Sequence, residues 1–201
     1  MIEFKKVRYT YFSKFYTLFD FSYKFDKGDY VLIGDNVSGP LTLIRLLAKL
    51  DTFYKGEILI DGKSLKKTNY KKDFNVGYVS ATPKFFNNKT VIENVCYPLK
   101  SRGLKKQEQI DTALVHLSNW GWKDKAELKV KDLNKSDLIV LALIRASIRK
   151  LDLLLCEDIF DIVPTTVLNK ISANTKIVLG KDYDNFEDYT TLMFGLGNLK
   201  E

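Results

Sequence analysis

The sequence predicts an α/β fold with a mainly parallel sheet, contained in a single domain of residues 1–201. Short apolar runs of strand length alternate with amphipathic runs of helix length, which is the pattern of βα units. A turn-rich loop bounded by Gly34 and Gly39 separates one strand from the following helix, the layout of a phosphate-binding loop. With 201 residues, of which 45% are hydrophobic, the chain is long enough to bury a large core.

The first half of the chain predicts several strands around this loop. Alternating apolar residues predict two strands before residue 26, on the positions Ile2, Phe4 and Val7 and then Phe19, Phe21, Tyr23 and Phe25. After a turn at 27–29, the apolar run 30–33 predicts a short buried strand, and residues 41–50 carry leucines at helical spacing. Residues 56–62 predict a strand ending in an Asp-Gly turn, and residues 76–79 predict another strand.

The second half predicts most of the helices. Thr90 is followed three residues later by Glu93, the spacing of a capping box, so a helix is expected over 90–100. The remaining predicted elements are a helix with apolar positions at 110–117 that ends near Gly121, a helix over 138–148, strands over 153–156 and 176–179, and a hairpin-like end over 191–199.

The charge of the chain favours anionic partners. The formal net charge is +7 and the isoelectric point is near 9.2, which suits either nucleic acid or the anionic face of a membrane. Most basic residues are scattered, and the densest group contains Lys66, Lys67, Lys71 and Lys72 with Tyr70 among them. This group is more typical of a solvated loop than of a nucleic-acid platform, because it lacks aromatic residues along one sheet face.

The sequence predicts a cytoplasmic protein. Its apolar runs all fall short of the roughly 18 residues that a membrane span needs, and its first residues lack the features of a signal peptide. Cys96 and Cys156 lie in apolar segments without paired spacing, so buried free thiols in a reducing compartment are expected rather than a disulfide.

Several segments, in this order, resemble the nucleotide-binding domains of the ATP-binding-cassette (ABC) family. Residues 7–11 resemble the segment whose last aromatic, here Tyr11, stacks on adenine. Residues 27–34 resemble the strand that leads into the Walker A loop, and residues 56–62 match the family's strand and turn. Further matches are 76–79 with Pro83 around the Q-loop, and Leu133, Ala142, Arg145 and Ala146 in the signature segment and its helix.

This resemblance covers nearly the whole chain. It implies a P-loop NTPase-type ABC ATPase core with an N-terminal antiparallel β part and a small α-helical lobe over about residues 84–140. It also identifies a nucleotide site made of Tyr11, Gly34, Asp35, Asn36, Val37, Ser38, Gly39, Pro40, Leu41 and Thr42.

The Walker A loop departs from the family pattern. A phosphate-binding loop reads Gly-x-x-x-x-Gly-Lys-Ser/Thr, with backbone N–H groups around the phosphates, lysine on the β/γ charge and the hydroxyl on Mg²⁺. Gly34 and Gly39 keep the outer spacing, but Pro40 stands at the lysine position and Leu41 at the hydroxyl position. Proline suits the first turn of a helix, so the loop-to-helix geometry is expected to survive while the phosphate site does not.

The Q-loop and the signature depart as well. Ala81 stands at the position of the glutamine. The signature Leu-Ser-Gly-Gly-Gln is replaced by Leu133, Asn134, Lys135, Ser136 and Asp137. The resemblance implies that this helix N-terminus grips the γ-phosphate bound to the opposite subunit, and Asp137 would repel a phosphate there.

The Walker B strand should end in Asp-Glu, with the aspartate on the metal and the glutamate as general base. Here Glu157 and Asp158 are exchanged; with a one-residue slip, Asp158 would take the metal position and Ile159 the base position. Lys181 stands where a histidine would contact the γ-phosphate. The single histidine, His116, is predicted to have a structural role on its helix.

The sequence therefore predicts a degenerate ABC subunit without hydrolysis, because charge stabilisation by lysine and metal dominates phosphoryl transfer. No cofactor is expected, with ATP and Mg²⁺ binding weakly at most, and no nucleic-acid partner is expected.

Within the family, the length of the chain and residues 90–122 resemble the small FtsE- and LolD-type subunits, and the MlaF type belongs to the same group. The FtsE type is favoured, which implies an integral membrane partner like FtsX in cell division and a place on the inner face of the membrane.

Two alternatives stay open. A LolD- or MlaF-type transporter subunit could bind or hydrolyse ATP through substitute residues, with Lys135 or Lys181 replacing the missing lysine and Glu157 or Asp158 binding metal. A homodimer is possible, although the short segment between Asp158 and Lys181 puts the family's usual dimer in doubt.

Overall fold

The structure is a computed structural model, and it describes residues 1–11, 17–34, 39–70, 72–182 and 184–200. The chain divides into two compact units. The core unit comprises Met1–Tyr78, Asp152–Asp158 and Ala173–Glu201, and the helical unit comprises Val79–Leu151 and Ile159–Ser172.

An antiparallel sheet forms the first part of the core unit. Its four strands, in the spatial order β2-β1-β4-β5, are β1 (Ile2–Tyr9), β2 (Leu18–Phe25), β4 (Lys55–Ile60) and β5 (Lys63–Ser64). β4 and β5 are joined by Asp61 and Gly62, which both have positive φ (47° and 78°), the conformation of a type I′ hairpin turn. The Asp-Gly turn predicted at this position is confirmed.

The second sheet has six strands in the spatial order β10-β9-β3-β8-β7-β6. These are β3 (Gly28–Ile33), β6 (Val76–Val79), β7 (Leu151–Cys156), β8 (Ala173–Gly180), β9 (Thr190–Gly195) and β10 (Asn198–Leu199). β3 runs parallel to both β8 and β9, whereas β9 and β10 form the antiparallel hairpin predicted at the end. The predicted α/β class, with a mainly parallel sheet and an N-terminal antiparallel part, is confirmed.

Helix α1 (Pro40–Leu47) follows β3 and is buried around most of its circumference. Such a helix lies inside a core rather than on its surface. Its apolar residues share one cluster with both sheets, in which the ring centroids of Phe4 and Phe21 lie 5.3 Å apart and those of Phe21 and Phe194 lie 5.5 Å apart.

Two details of the strands and helices differ from the simple sequence pattern. Phe19 lies in β2 as predicted but is 48% exposed, because Asp20 adopts φ 49° beside a register shift between β1 and β2, and this bulge interrupts the side-chain alternation. The helix predicted over 41–50 begins at Pro40 and ends at Leu47, since Lys49 takes a left-handed φ of 57°.

Three α-helices dominate the helical unit: α2 (Val91–Lys100), α3 (Lys106–Asn119) and α4 (Lys135–Ser147). Short 3-10 helices span Lys123–Lys125, Val130–Asp132 and Thr165–Lys170. The capping box predicted for α2 is present: the N–H of Glu93 donates to Oγ1 of Thr90 at 3.3 Å, and the N–H of Thr90 donates to Oε2 of Glu93 at 2.9 Å. Between β7 and β8, residues 159–172 contain only the last of the 3-10 helices, which agrees with the shortened segment expected there.

Candidate functional site

The loop between β3 and α1 has the predicted strand-loop-helix layout. β3 ends at Ile33, the exposed Gly34 follows, and α1 begins at Pro40. Gly39 caps α1 with φ 112°, a conformation that residues with a Cβ rarely adopt. A Cβ at Gly39 would also lie 2.6 Å from the carbonyl oxygen of Thr17, so this position requires glycine. The predicted site residues Asp35, Asn36, Val37 and Ser38 lie outside the described residues.

The first turn of α1 has few groups that could bind a phosphate. Pro40 occupies N1, where its fixed φ suits the helix, but it supplies neither a positive charge nor a backbone N–H. Leu41 is half-buried and has no hydroxyl, and the hydroxyl-bearing Thr42 is 2% exposed. Among the described residues, no side chain caps this terminus. The side chains described here therefore do not fit the β/γ-phosphates and Mg²⁺ that the family motif holds.

The hydroxyl of Tyr11 is held by the two ends of α1. It donates to Oδ2 of Asp51 at 3.2 Å and accepts a hydrogen bond from Oγ1 of Thr42 at 3.4 Å. Nε of Arg45 donates to the same Asp51 oxygen at 2.8 Å, which places the carboxylate between a cation and the phenol. Partial burial raises the pKa of Tyr11. The aromatic predicted to stack on adenine is thus positioned by contacts within the chain, with its side chain 46% exposed.

The two carboxylates after β7 are engaged by groups of the same unit. The hydroxyl of Tyr78, on β6, donates to Oε1 of Glu157. Nζ of Lys181 lies 3.8 Å from Oδ2 of Asp158. A metal ion or an attacking water would need these carboxylate oxygens, and here a phenol and an ammonium group lie against them. The Walker B and histidine-loop positions are therefore brought together, in an arrangement that holds an ion pair.

The signature positions form the N-terminus of α4 in the helical unit. Leu133 precedes the helix, and Asn134 caps it: Oδ1 of Asn134 accepts the N–H of Asp137 at 2.8 Å. Oδ1 of Asp137 accepts from Nζ of Lys125 at 2.6 Å, while Lys135 and Ser136 are exposed in the first turn. The side chain of Asn134 thus caps one backbone donor of this terminus, and the acidic Asp137 in its first turn is paired with Lys125.

The remaining predicted positions also lie in the helical unit. Ala81 is half-buried in the bend after β6, where the N–H of Thr82 donates to Oγ of Ser80 at 3.2 Å. Nε2 of His116 lies 3.1 Å from the carbonyl oxygen of Ile144, and burial lowers the pKa of this imidazole. This contact supports the structural role predicted for His116.

The sequence analysis missed Arg45, Asp51 and Tyr78. Arg45 and Asp51 lie six residues apart across the end of α1, a short separation that could have suggested a pair. Tyr78 and Glu157 are separated by 79 residues, so only the neighbouring positions of β6 and β7 in the sheet could have brought them together.

The described residues contain neither a cluster of metal-ligating side chains nor a helix suited to span a membrane. No group of three or more His, Cys, Asp or Glu side chains in the described ranges could hold a metal ion. None of the helices in these ranges is long and apolar enough to cross a membrane.

The ABC transporter family matches residues 18–160, which is more than half of the chain, and the chain belongs to this family. An ABC transporter ATP-binding protein of Clostridium tetani is 33% identical over 117 residues, covering 57% of this chain but 27% of that protein. The ABC transporter ATP-binding protein YclH of Bacillus subtilis is 28% identical over 199 residues, covering 96% of this chain and 85% of YclH. The lipoprotein-releasing system ATP-binding protein LolD of Aquifex aeolicus is 31% identical over 159 residues, covering 76% of this chain and 68% of LolD.

Solved structures agree with the fold. The ATP-binding cassette MJ0796, in a dimeric post-hydrolysis state bound to ADP and Pi, superposes with a TM-score of 0.84 over all of this chain and 97% of that one. At 20% sequence identity, this similarity supports the fold alone.

Proposed function

We propose that this chain is a catalytically degenerate ABC subunit that binds ATP weakly or not at all and acts by docking on an integral membrane protein. The observation that carries this proposal is the identity and the contacts of the residues at the nucleotide-site positions. Pro40 and Leu41 replace the groups that hold phosphate and Mg²⁺, while Glu157 and Asp158 contact Tyr78 and Lys181 of the same chain.

Phosphoryl transfer is catalysed mainly by positioned positive charge and by a metal that neutralises the transferring group. Losing one charge-assisted hydrogen bond costs about 1.5–3 kcal/mol of binding, and this chain lacks the motif's lysine, its Mg²⁺ hydroxyl and its glutamine together. Compensation by a single neighbouring residue is too small to replace all three.

Membrane docking is supported by an exposed aromatic pair in the helical unit. Phe86 is 52% exposed, Tyr97 on α2 is 54% exposed, and their ring centroids lie 5.0 Å apart. Large exposed rings in contact are typical of protein interaction sites. We place the docking surface for the membrane subunit on residues 81–99, and the chain on the inner face of the cell membrane.

The branch of the ABC family to which this chain belongs, FtsE-like or LolD-like, is also part of the proposal. The resemblance of residues 90–122 supports the FtsE and LolD branches alike, and we favour an FtsE-like role with an FtsX-like membrane partner in cell division. A LolD-like role is further supported by the 31% identity to the LolD of Aquifex aeolicus. Copurification with an FtsX-like protein, against copurification with the membrane subunits of a lipoprotein-releasing system, separates the two.

The first experiment is calorimetric titration of the purified chain with Mg-ATP, together with a thermal unfolding curve. A ligand at about 100 times its Kd stabilises the folded state by about 2.7 kcal/mol, so binding with micromolar affinity would shift the unfolding midpoint clearly. We expect neither heat nor a shift at millimolar Mg-ATP. Strong binding that requires Mg²⁺ would contradict the proposal.

A second candidate is an ATPase that works through substitute residues. It is favoured by the family itself and by the presence of both carboxylates after β7. Its mark is steady-state phosphate release that disappears in both Glu157→Gln and Asp158→Asn. Release that persists unchanged in these variants would be a contaminating activity and would not support this candidate.

Docking is tested separately, with Phe86→Ser/Tyr97→Ser as the variant. We expect at least a tenfold loss of affinity for the membrane subunit, because two exposed aromatic anchors are removed. The control is Val115→Ser on α3, which removes a 63% exposed apolar side chain elsewhere in the helical unit. Equal effects of the two variants would contradict this docking surface.

A further inference from the structure

Two loops of the core unit form one surface that is both basic and aromatic. The first loop follows α1 and contains Lys49 and Tyr54, and the second follows β5 and contains Lys66 and Tyr70. Nζ of Lys49 donates to the carbonyl oxygen of Thr68 and lies 4.8 Å from the centroid of the Tyr70 ring. Nζ of Lys66 lies 4.6 Å from the centroid of the Tyr54 ring. These direct contacts hold the two loops side by side.

The second loop carries more positive charge than its own carboxylate neutralises. Oδ2 of Asp73 accepts a hydrogen bond from Nζ of Lys63 at 2.6 Å, so this lysine is paired. In the described part of the chain, no carboxylate oxygen lies within 4.0 Å of Nζ of Lys66, Lys67 or Lys72, and all three side chains are exposed. Clustered cations without carboxylate partners favour an anionic partner.

Exposed apolar side chains lie next to these lysines. Residues 50–54 connect α1 to β4, and within this connection Phe53 is 93% exposed and Leu50 is also exposed. Phe53 directly precedes Tyr54, whose ring contacts Lys66, so the apolar side chains and the lysines belong to one surface. An exposed phenylalanine flanked by lysines is the combination with which peripheral proteins contact the interface of a bilayer.

We propose that this surface binds the anionic face of a lipid bilayer, and we call it the basic tip: Leu50, Phe53, Lys66, Lys67 and Lys72. The ring of Phe53 enters the interface, and the lysines lie against the headgroups, which attract basic clusters. The inference rests on the proposed function to the extent that the chain works beside a membrane protein.

Nucleic acid fits this surface less well than a bilayer does. A base would stack on the rings of Tyr54 and Tyr70, but the ammonium groups of Lys66 and Lys49 already lie over these rings. Phe53 is then a single platform, whereas binding of single-stranded nucleic acid uses a series of them.

The test measures flotation of the full chain with vesicles at about 0.1 M salt. Vesicles of phosphatidylcholine alone are compared with vesicles that also contain about 30% phosphatidylglycerol. Wild type is expected to bind the anionic vesicles and to bind the neutral ones poorly. The variant Lys66→Gln/Lys67→Gln/Lys72→Gln should lose about a hundredfold in partitioning to the anionic vesicles. Phe53→Ser leaves the charge unchanged and should lose about tenfold.

Each variant has a matched control. Lys123→Gln/Lys129→Gln/Lys131→Gln removes the same charge from exposed positions of the helical unit and should lose less than about threefold. Leu196→Ser removes an almost fully exposed apolar side chain elsewhere in the core unit and should leave partitioning unchanged. Because every replaced side chain is exposed, the thermal unfolding midpoints of all four variants should match that of the wild type.

Four results would overturn the proposal. Equal losses in the two triple variants would indicate general attraction of charge, and equal effects of Phe53→Ser and Leu196→Ser would exclude insertion of the ring. The other two are tighter binding of duplex DNA than of the anionic vesicles, and no binding to the anionic vesicles at all.

These outcomes are independent of those for the proposed function. Vesicle binding combined with ATP hydrolysis would retain the basic tip and reject the degenerate subunit. Absence of vesicle binding in a chain that neither binds ATP nor hydrolyses it would do the reverse.

Discussion

The N-termini of α1 and α4 occupy the positions that the family resemblance assigns to phosphate binding, and they differ in how they are satisfied. α1 begins at Gly39 and Pro40 without a side-chain cap among the described residues. α4 begins at Asn134, whose side chain accepts the N–H of Asp137, and Asp137 in turn contacts Lys125. At α1, Pro40 provides neither a backbone N–H nor a positive charge. At α4, the side chain of Asn134 accepts a backbone hydrogen bond of the helix.

Under the proposed function, the two helix N-termini have lost their suitability for an anion in two physical ways. Proline at N1 removes a backbone donor and the charge of the lysine, but it leaves the helix start intact. At α4, the side chain of Asn134 instead occupies one backbone donor, and a phosphate would have to displace it and approach the carboxylate of Asp137. Variants at the two termini should therefore behave differently.

The largest effect is expected for Gly39→Ala at the start of α1. The residue has φ 112°, and a Cβ would lie 2.6 Å from both the Thr17 carbonyl oxygen and Cδ2 of Leu18. Strain and overlap should destabilise the chain by about 3 kcal/mol, measured by urea denaturation. The control Gly103→Ala also has a positive φ, 84°, but no atom within 4 Å, and should cost about 1 kcal/mol. Similar costs for both would show that Gly39 is not crowded.

A second variant, Pro40→Lys/Leu41→Ser, restores a donor, a charge and a hydroxyl to α1. We expect its affinity for Mg-ATP, measured by calorimetry, to rise at least about tenfold, since one charge-assisted hydrogen bond suffices for that gain. Phosphate release should stay at background, because Ala81 and the α4 terminus are unchanged. The control Pro40→Ala/Leu41→Ala restores the backbone N–H alone. If the control gained as much affinity, the lost charge would not be the cause.

At α4, Asn134→Ala removes the cap. It should lower the free energy of unfolding by about 1 kcal/mol, since the N–H of Asp137 loses its acceptor. Ser136→Ala, at an exposed position two residues further on, should change it by less than about 0.5 kcal/mol. A negligible effect of Asn134→Ala would mean that water caps this helix equally well.

The smallest effect concerns the other end of α4 and depends on pH. Burial lowers the pKa of His116 below its ordinary value, so the folded state favours the neutral ring. The stability from this group is present above about pH 6.5 and is lost as the pH falls through the lowered pKa of the folded state. In His116→Gln, the thermal unfolding midpoint should fall less steeply between about pH 7 and 5 than it does in the wild type. Because His116 is the single histidine, an unchanged pH profile would contradict this assignment.

Local features of the fold could be predicted from the sequence because their causes are local. The capping box at Thr90 and Glu93 and the turn at Asp61 and Gly62 depend on residues next to each other, and both are present. The exposure of Phe19 could not be predicted, because a bulge depends on pairing with another strand.

The candidate site was predictable as a set of substitutions but not as a set of contacts. The assignment of Pro40 and Leu41 to the motif's lysine and hydroxyl positions follows from the residues alone and stays a prediction. The contact of Tyr78 with Glu157 requires neighbouring strands that are far apart in sequence, and no periodicity indicates it. Because of that contact, the carboxylate of Glu157 already accepts a hydrogen bond from within the chain.

Because each unit contains one of the two cysteines, the opening of each unit can be measured separately. Cys156 is fully buried in β7 of the core unit, and Cys96 is buried in α2 of the helical unit. Burial raises the pKa of both thiols, which protects them from alkylation while each unit stays closed. Alkylation rates at the two thiols, resolved by mass spectrometry, would therefore report how often each unit opens, without any engineered probe.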